Sequence, residues 1–234
     1  MLVAAAVCPC PPLLVPEVAS GAAPELEAVR AHCADALGVL AAARPDRLLV
    51  VGPAPGGALG PFPAGSTGSF AGFGVDLTVR LGDGPGGRTL PAPLAVGAWL
   101  LSRTERADVP VEGYGVDERA TPEECAETGR ALAASAGRVA LLVLGDGSAC
   151  RTVKAPGYFD ERAAGFDAEA ARVLGSADPA GVLALDAGLA RELQAAGRAP
   201  WQVLAGAAEG SDLSGRLLHE DAPYGVAYLV AVWS

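Results

Sequence analysis

Leu2-Val3-Ala4-Ala5-Ala6-Val7 is an unbroken apolar run, and Cys8-Pro9-Cys10-Pro11-Pro12 closes it. A run this short, ended by prolines that cannot continue a hydrogen-bonded ladder, reads as a central strand opening into a loop at its C-terminal end. Downstream, Leu26, Val29, Cys33, Leu37 and Leu40 recur at three- and four-residue steps through Pro24–Ala43, with Glu25, Glu27, Arg30 and Asp35 between them. That spacing predicts an amphipathic helix. Arg47-Leu48-Leu49-Val50-Val51-Gly52 repeats the first signal and again runs into a Gly/Pro loop. Strand, helix, strand in this order is a parallel crossover unit.

The same alternation continues along the chain. Strands are predicted at Phe73–Val79, Val111–Val116, Val139–Leu144 and Tyr224–Trp233, and helices at Pro93–Arg106, Glu161–Leu174, Val182–Ala196 and Pro200–Ala208. A further helix starts at Thr121-Pro122-Glu123-Glu124, where Thr caps and Pro takes the first helical position, and runs to about Ser135. In the last strand Ala227, Leu229 and Ala231 oppose Tyr228, Val230 and Val232. Residues 53–72 are rich in Gly, Pro and Ser without a period, a long connection of the kind that shapes binding sites. The expectation is an α/β protein, a single three-layer α/β/α domain over residues 1–234 with a mostly parallel central sheet. Ligands of such sheets lie beyond the C-terminal strand ends, which brings the loops after Val7, Val51 and Leu144 together.

Composition narrows the partners. Against 27 Asp+Glu stand 17 Lys+Arg, a net charge of −10, which argues against a nucleic-acid binder held by phosphate contacts. Hydrophobic residues make up 51% and charged residues 19%, a balance that folds rather than stays disordered. The N-terminal apolar run lacks a basic flank and is far short of the roughly 20 residues a membrane span needs, so the expectation is a cytoplasmic protein without a membrane partner. Five scattered cysteines, an odd number, read as reduced thiols.

The chain has two histidines, which limits hydrolytic triads. His32 falls inside the first helix; His219, in Leu218-His219-Glu220-Asp221, reads as a solvent-exposed turn or as a group close enough to the final strand to reach a site. Gly145-Asp146-Gly147-Ser148 is not a nucleophile elbow, and no phosphate-binding glycine loop follows a strand. Cys8-Pro9-Cys10 puts two thiols at a strand end, either incidentally or as a soft-metal or redox site that Cys150 would join. Asp146 reads either as a turn cap accepting backbone N–H groups or, with Ser148, as a group for acid–base chemistry. Arg151, Lys154 and Tyr158 crowd the same loop and suit an anionic or phenolic small molecule if they face inward; otherwise they form a solvated rim.

Cys8-Pro9-Cys10-Pro11-Pro12 resembles the Pro-His-Pro-Pro opening of class III extradiol ring-cleavage dioxygenases, a superfamily that also contains Memo-like proteins. Leu49-Val50-Val51-Gly52-Pro53-Ala54 is similar to their strand ending in Ser-Pro-His, and Gly145-Asp146-Gly147-Ser148-Ala149 to their Gly-Asp-Leu-Ser-His. Ala155-Pro156-Gly157-Tyr158, Phe166-Asp167 and Pro223-Tyr224-Gly225-Val226-Ala227-Tyr228 extend the likeness through the second half. The resemblance implies that family's fold and a pocket bordered by Pro11, Pro12 and Pro53. It also places Cys10 and Ala54 where two iron-binding histidines stand in the family, and Ala149 where its acid/base histidine stands. The expected protein is therefore a divergent relative that needs no cofactor and holds a phenolic or anionic small molecule in the inherited pocket. The alternative is an active ring-opening dioxygenase whose iron(II) is held by non-histidine ligands such as Cys10 and Glu220. Many members of that family form dimers or heteromers, so a homodimer is a possible assembly.

Overall fold

A computed structural model describes residues 1–104 and 109–234. Its main sheet has seven strands: β1 (Leu2–Cys8), β2 (Arg47–Pro53), β3 (Gly60–Phe62), β6 (Val111–Val116), β7 (Val139–Leu144), β8 (Gly215–Asp221) and β9 (Tyr228–Trp233). The order is β3-β6-β2-β7-β1-β9-β8. The four central strands, β6, β2, β7 and β1, run parallel, while β3, β9 and β8 each pair antiparallel to their inner neighbour. Two short strands, β4 (Ser66–Ser69) and β5 (Thr78–Leu81), form a separate antiparallel pair. The helices are α1 (Pro16–Ala19), α2 (Glu27–Ala42), α3 (Ala92–Ser102), α4 (Pro122–Ala133), α5 (Ala163–Gly175), α6 (Pro179–Leu183), α7 (Ala187–Glu192) and α8 (Arg198–Ala207).

The continuous apolar strands are explained by burial on both faces. Leu141 and Val143 of β7 join Leu49, Val51, Leu229 and Trp233 in one core layer, under α4, α5 and α8. Ala140, Leu142 and Leu144 join Leu48, Val50, Val230 and Val232 in the other, under α2 and α3. The period of two along β9 thus sorts its side chains between two cores rather than between core and solvent. The result is the expected three-layer α/β/α arrangement with a mostly parallel sheet.

The distribution of helices positions the site. The helices that follow β1 and β2 lie on one face, and those that follow β6 and β7 on the other. Outgoing connections therefore diverge between β6 and β2, between β2 and β7, and between β7 and β1. Each divergence opens a crevice at the C-terminal strand ends. The start of α4 is fixed by a reciprocal capping box: Glu124 N–H donates to Thr121 Oγ1 at 3.2 Å, and Thr121 N–H donates to Glu124 Oε2 at 2.8 Å. This cap terminates the loop that leaves β6 at the crevice.

Several expected boundaries shift for identifiable reasons. The helix expected over Val182–Ala196 is two short helices, because Asp186 Oδ1 accepts from Leu189 N–H at 2.7 Å and starts α7 afresh. The strand expected over Phe73–Val79 is confined to Thr78–Leu81; residues 71–73 form a 3₁₀ turn. The helix expected over Pro93–Arg106 ends at Ser102, and positions 105 and 106 lie outside the described residues. His219 and Glu220 sit on β8, paired to β9, rather than in a turn or loop. No helix among the described residues is long and apolar enough to cross a membrane.

Candidate functional site

The turn leaving β7 meets the turn leaving β1. Gly145 N–H donates to Cys8 O at 3.0 Å, and Cys10 N–H donates to Asp146 Oδ1 at 2.9 Å. On the other side, Gly197 N–H donates to Asp146 O at 2.8 Å. Residue 145 must be glycine for this packing, since a Cβ there would lie 2.2 Å from Gly197 Cα. The sheet thus delivers Asp146 into the β7–β1 crevice and fixes it through two neighbouring segments, the turn after β1 and the one that contains Gly197.

The electrostatics follow from that enclosure. Asp146 keeps some exposure as a residue, but burial of its carboxyl raises the pKa from 3.8 to about 7, only partly opposed by the Cys10 N–H. Burial, then the nearby Asp146 and Glu118, push the Cys10 thiol well above its ordinary value. Burial raises the Tyr228 phenol, with Asp146 adding in the same direction. A carboxyl that titrates near neutrality is able to give and take a proton at physiological pH. The Cys10 thiol and Tyr228 phenol around it stay protonated.

Two cavities open at the same end of the sheet, one at the C-terminal end of β2 and one along the 195–198 segment whose Gly197 is bonded to Asp146 O. One, of about 450 Å³, is lined by Pro53, Ala54, Pro93 and the Asp117–Arg119 turn that follows β6. The other, of about 440 Å³, shares Glu118 and Arg119 and continues along Arg191, Ala195, Ala196 and Arg198. Both volumes lie in the range of small-molecule sites, about 300–1,000 Å³. A third cavity, of about 580 Å³, lies between Tyr114, Arg119 and α4. It borders neither Pro53 and Ala54 nor the 195–198 segment bonded to Asp146.

Comparison with known proteins adds the fold and nothing about activity. No family model and no curated protein matches the chain. Its structure is similar to the crystal structure of JW3007, an uncharacterized protein from Escherichia coli K12, with a TM-score of 0.54 and 18% identity over 99% of each chain.

The residues singled out from sequence separate into groups. Pro53 and Ala54 line a cavity, and Pro11 and Pro12 are half-buried beside Cys10 and lead into α1. Ser148 is fully buried: its N–H and Oγ–H donate to Asp167 Oδ1 and Oδ2 at 2.7 and 2.6 Å. Arg151 Nη1 reaches the same buried carboxylate at 3.1 Å. Both residues therefore anchor the 145–151 turn to α5, and the expectation that they face a ligand gives way to this network. Lys154 is exposed and Tyr158 is 66% exposed, which puts them on the solvated rim. Cys150 packs toward Gly157 O and Leu193 O in one core layer while Cys10 belongs to the other, so the sheet keeps these thiols apart.

The donor set does not fit the iron site that the resemblance implies. Cys10 is 5% exposed with a thiol that holds its proton, and Glu220 is exposed on β8, opposite Leu229. Ala54 and Ala149, both buried, offer no donor side chain. Among the described residues no three His, Cys, Asp or Glu side chains gather in a metal-holding group. The two histidines instead stack on each other, centroids 5.1 Å apart, between α2 and β8.

Glu118, Arg119 and Arg198 escaped the reading of the sequence, and so did the role of Asp167 as the partner of Ser148 and Arg151. Asp167 carried a signal, since it shares a helical face with Ala170, Ala171 and Leu174 and so had to be buried and partnered. The Asp117–Arg119 turn also carried one: it follows Val116 at the C-terminal end of a parallel strand, where the site of such a sheet is expected.

Proposed function

We propose that this protein is a divergent relative of class III extradiol dioxygenases that binds a small phenolic or anionic molecule, without iron, in the crevice at the C-terminal strand ends. The observation that supports the reading is the strand-end crevice: Pro53 and Ala54 line one cavity, the 195–198 segment that lines the other is bonded to Asp146 O, and the Asp146 carboxyl, tied to Cys10 N–H, is raised by burial to about 7, while residues 54 and 149 are alanines. Asp146 hydrogen-bonds or exchanges a proton with the ligand's acidic group. The apolar wall at Pro53, Ala54 and Pro93 covers its ring.

Calorimetric titration of metal-stripped protein with catechol and with benzoate, chelator present throughout, tests this directly. Binding should persist in chelator, and its pH dependence near 7 should vanish in Asp146→Asn. Binding that appears only after iron(II) is added, or none under either condition, overturns the proposal.

A further inference from the structure

Five arginines, Arg47, Arg130, Arg151, Arg162 and Arg172, have carboxylate partners. Three others, Arg119, Arg191 and Arg198, line the 440 Å³ cavity, and among the described residues none of them is ion-paired. Arg198 is the unusual member, at 3% exposure. Its Nη1 donates to Ala120 O at 2.6 Å and to Gln202 Oε1 at 3.0 Å, and its Nη2 donates to Glu118 O. Every one of these acceptors is neutral, so the buried charge is hydrogen-bonded but not cancelled. Burial favours the neutral form of Arg198 and the nearby Arg191 pushes the same way, opposed in part by Cys125, Glu118 and Asp117, none of which is ion-paired to it.

Burying a guanidinium without a counter-charge is costly, and a second and third cation on the same wall add repulsion. Glu118 is the one carboxylate residue on this wall, against three arginines, in a chain whose net charge is −10. The local sign is thus opposite to that of the whole molecule. Arg119 and Arg191 are exposed enough to turn toward a guest, and guanidinium forks match carboxylate and phosphate oxygens in paired hydrogen bonds. The 195–198 wall of the cavity is bonded, through Gly197 N–H, to the backbone oxygen of Asp146, so the cationic wall and the β7 turn belong to one crevice.

We propose that this cavity is the anion-binding end of the crevice: Arg119 and Arg191 grip the carboxylate or phosphate group of a small molecule, and Arg198 supplies a fixed positive charge behind them. The inference rests on the small-molecule reading above and narrows it to ligands that carry an anionic group. Arg198 has a second role, since its bonds to Glu118 O and Ala120 O hold the turn that presents Arg119.

The test titrates the full chain, in chelator, with phenol, benzoate and inorganic phosphate. Each is repeated on Arg119→Ala/Arg191→Ala and on the single variant Arg191→Glu, with melting curves to confirm folding. Benzoate, phosphate or both should bind more tightly than phenol, lose at least about ten-fold in affinity in either variant, and weaken with added salt; phenol should be indifferent to the substitutions. Preference for benzoate or for phosphate identifies the anion. If phenol binds but the anions bind no better, or the variants leave anion affinity unchanged, the anion site is refuted and the small-molecule reading stands. If none of the three binds, both fail.

Discussion

Replacing Asp146 by Asn should make the protein more stable at alkaline pH than at acid pH relative to the parent. In the folded chain the carboxyl holds its proton up to about pH 7, whereas its ordinary value is 3.8. A raised acid pKa means that the group's favourable contribution is fully present below the unfolded value and is lost as pH rises through the folded one. At pH 5 the folded group sits two pH units below its midpoint. Each unit corresponds to about 1.36 kcal/mol, so the parent loses about 2.7 kcal/mol from this group between pH 5 and pH 8. Asparagine does not titrate and keeps an oxygen for the Cys10 N–H. The stability difference, variant minus parent, should therefore grow by about 2.7 kcal/mol over that interval. Urea denaturation of both proteins at pH 5 and pH 8, with equal m-values as a control, measures it. A difference that is the same at both pH values would show that Asp146 titrates normally and would remove the acid–base argument.

Ser148→Ala should lower stability by about 1–2 kcal/mol through loss of one buried hydrogen bond. Asp167→Ala should cost about 3–5 kcal/mol, because it strands the Ser148 donors and the Arg151 cation; denaturation curves in which the serine variant is the worse of the two would contradict the network. Gly129→Ala should cost at least about 3 kcal/mol, since the new Cβ would sit 2.0 Å from Val203 O where α4 crosses α8; an unchanged melting temperature would mean that the helices pack less closely. All five thiols are free and buried, so a thiol reagent at pH 8 should label the native protein slowly and all five on unfolding; rapid labelling of Cys10 in the folded state would show that its turn is open.

What the amino-acid sequence discloses and what it hides follow from the physics of each signal. The β1–α2–β2 unit was legible because its apolar runs and its helical period are local properties. The start of α4 was legible because a capping box is four residues long. β8 was not: Gly215–Asp221 is an edge strand with charged residues, and only pairing to β9 makes it one. Asp146 was correctly placed at a strand end, yet its pKa depends on enclosure by segments far away in the chain. The cap reading of that aspartate is seen directly, since its carboxyl accepts the Cys10 N–H, and burial of the same carboxyl raises its pKa to about 7. Ser148 looked like a reacting group and Arg151 like a ligand-binding one because the side chain that occupies them, Asp167, lies on the next helix. The arginine cavity was invisible because Arg119, Arg191 and Arg198 come from three separate elements.

The central claim is that the crevice works without iron, and the direct measurement is elemental analysis after anaerobic incubation with iron(II) and desalting, with oxygen uptake followed on addition of catechol. The account predicts iron at background level and no uptake by protein that still binds its small-molecule probes. Stoichiometric iron together with catechol-dependent oxygen uptake would contradict it and would mean that side chains other than histidine rebuild the metal site.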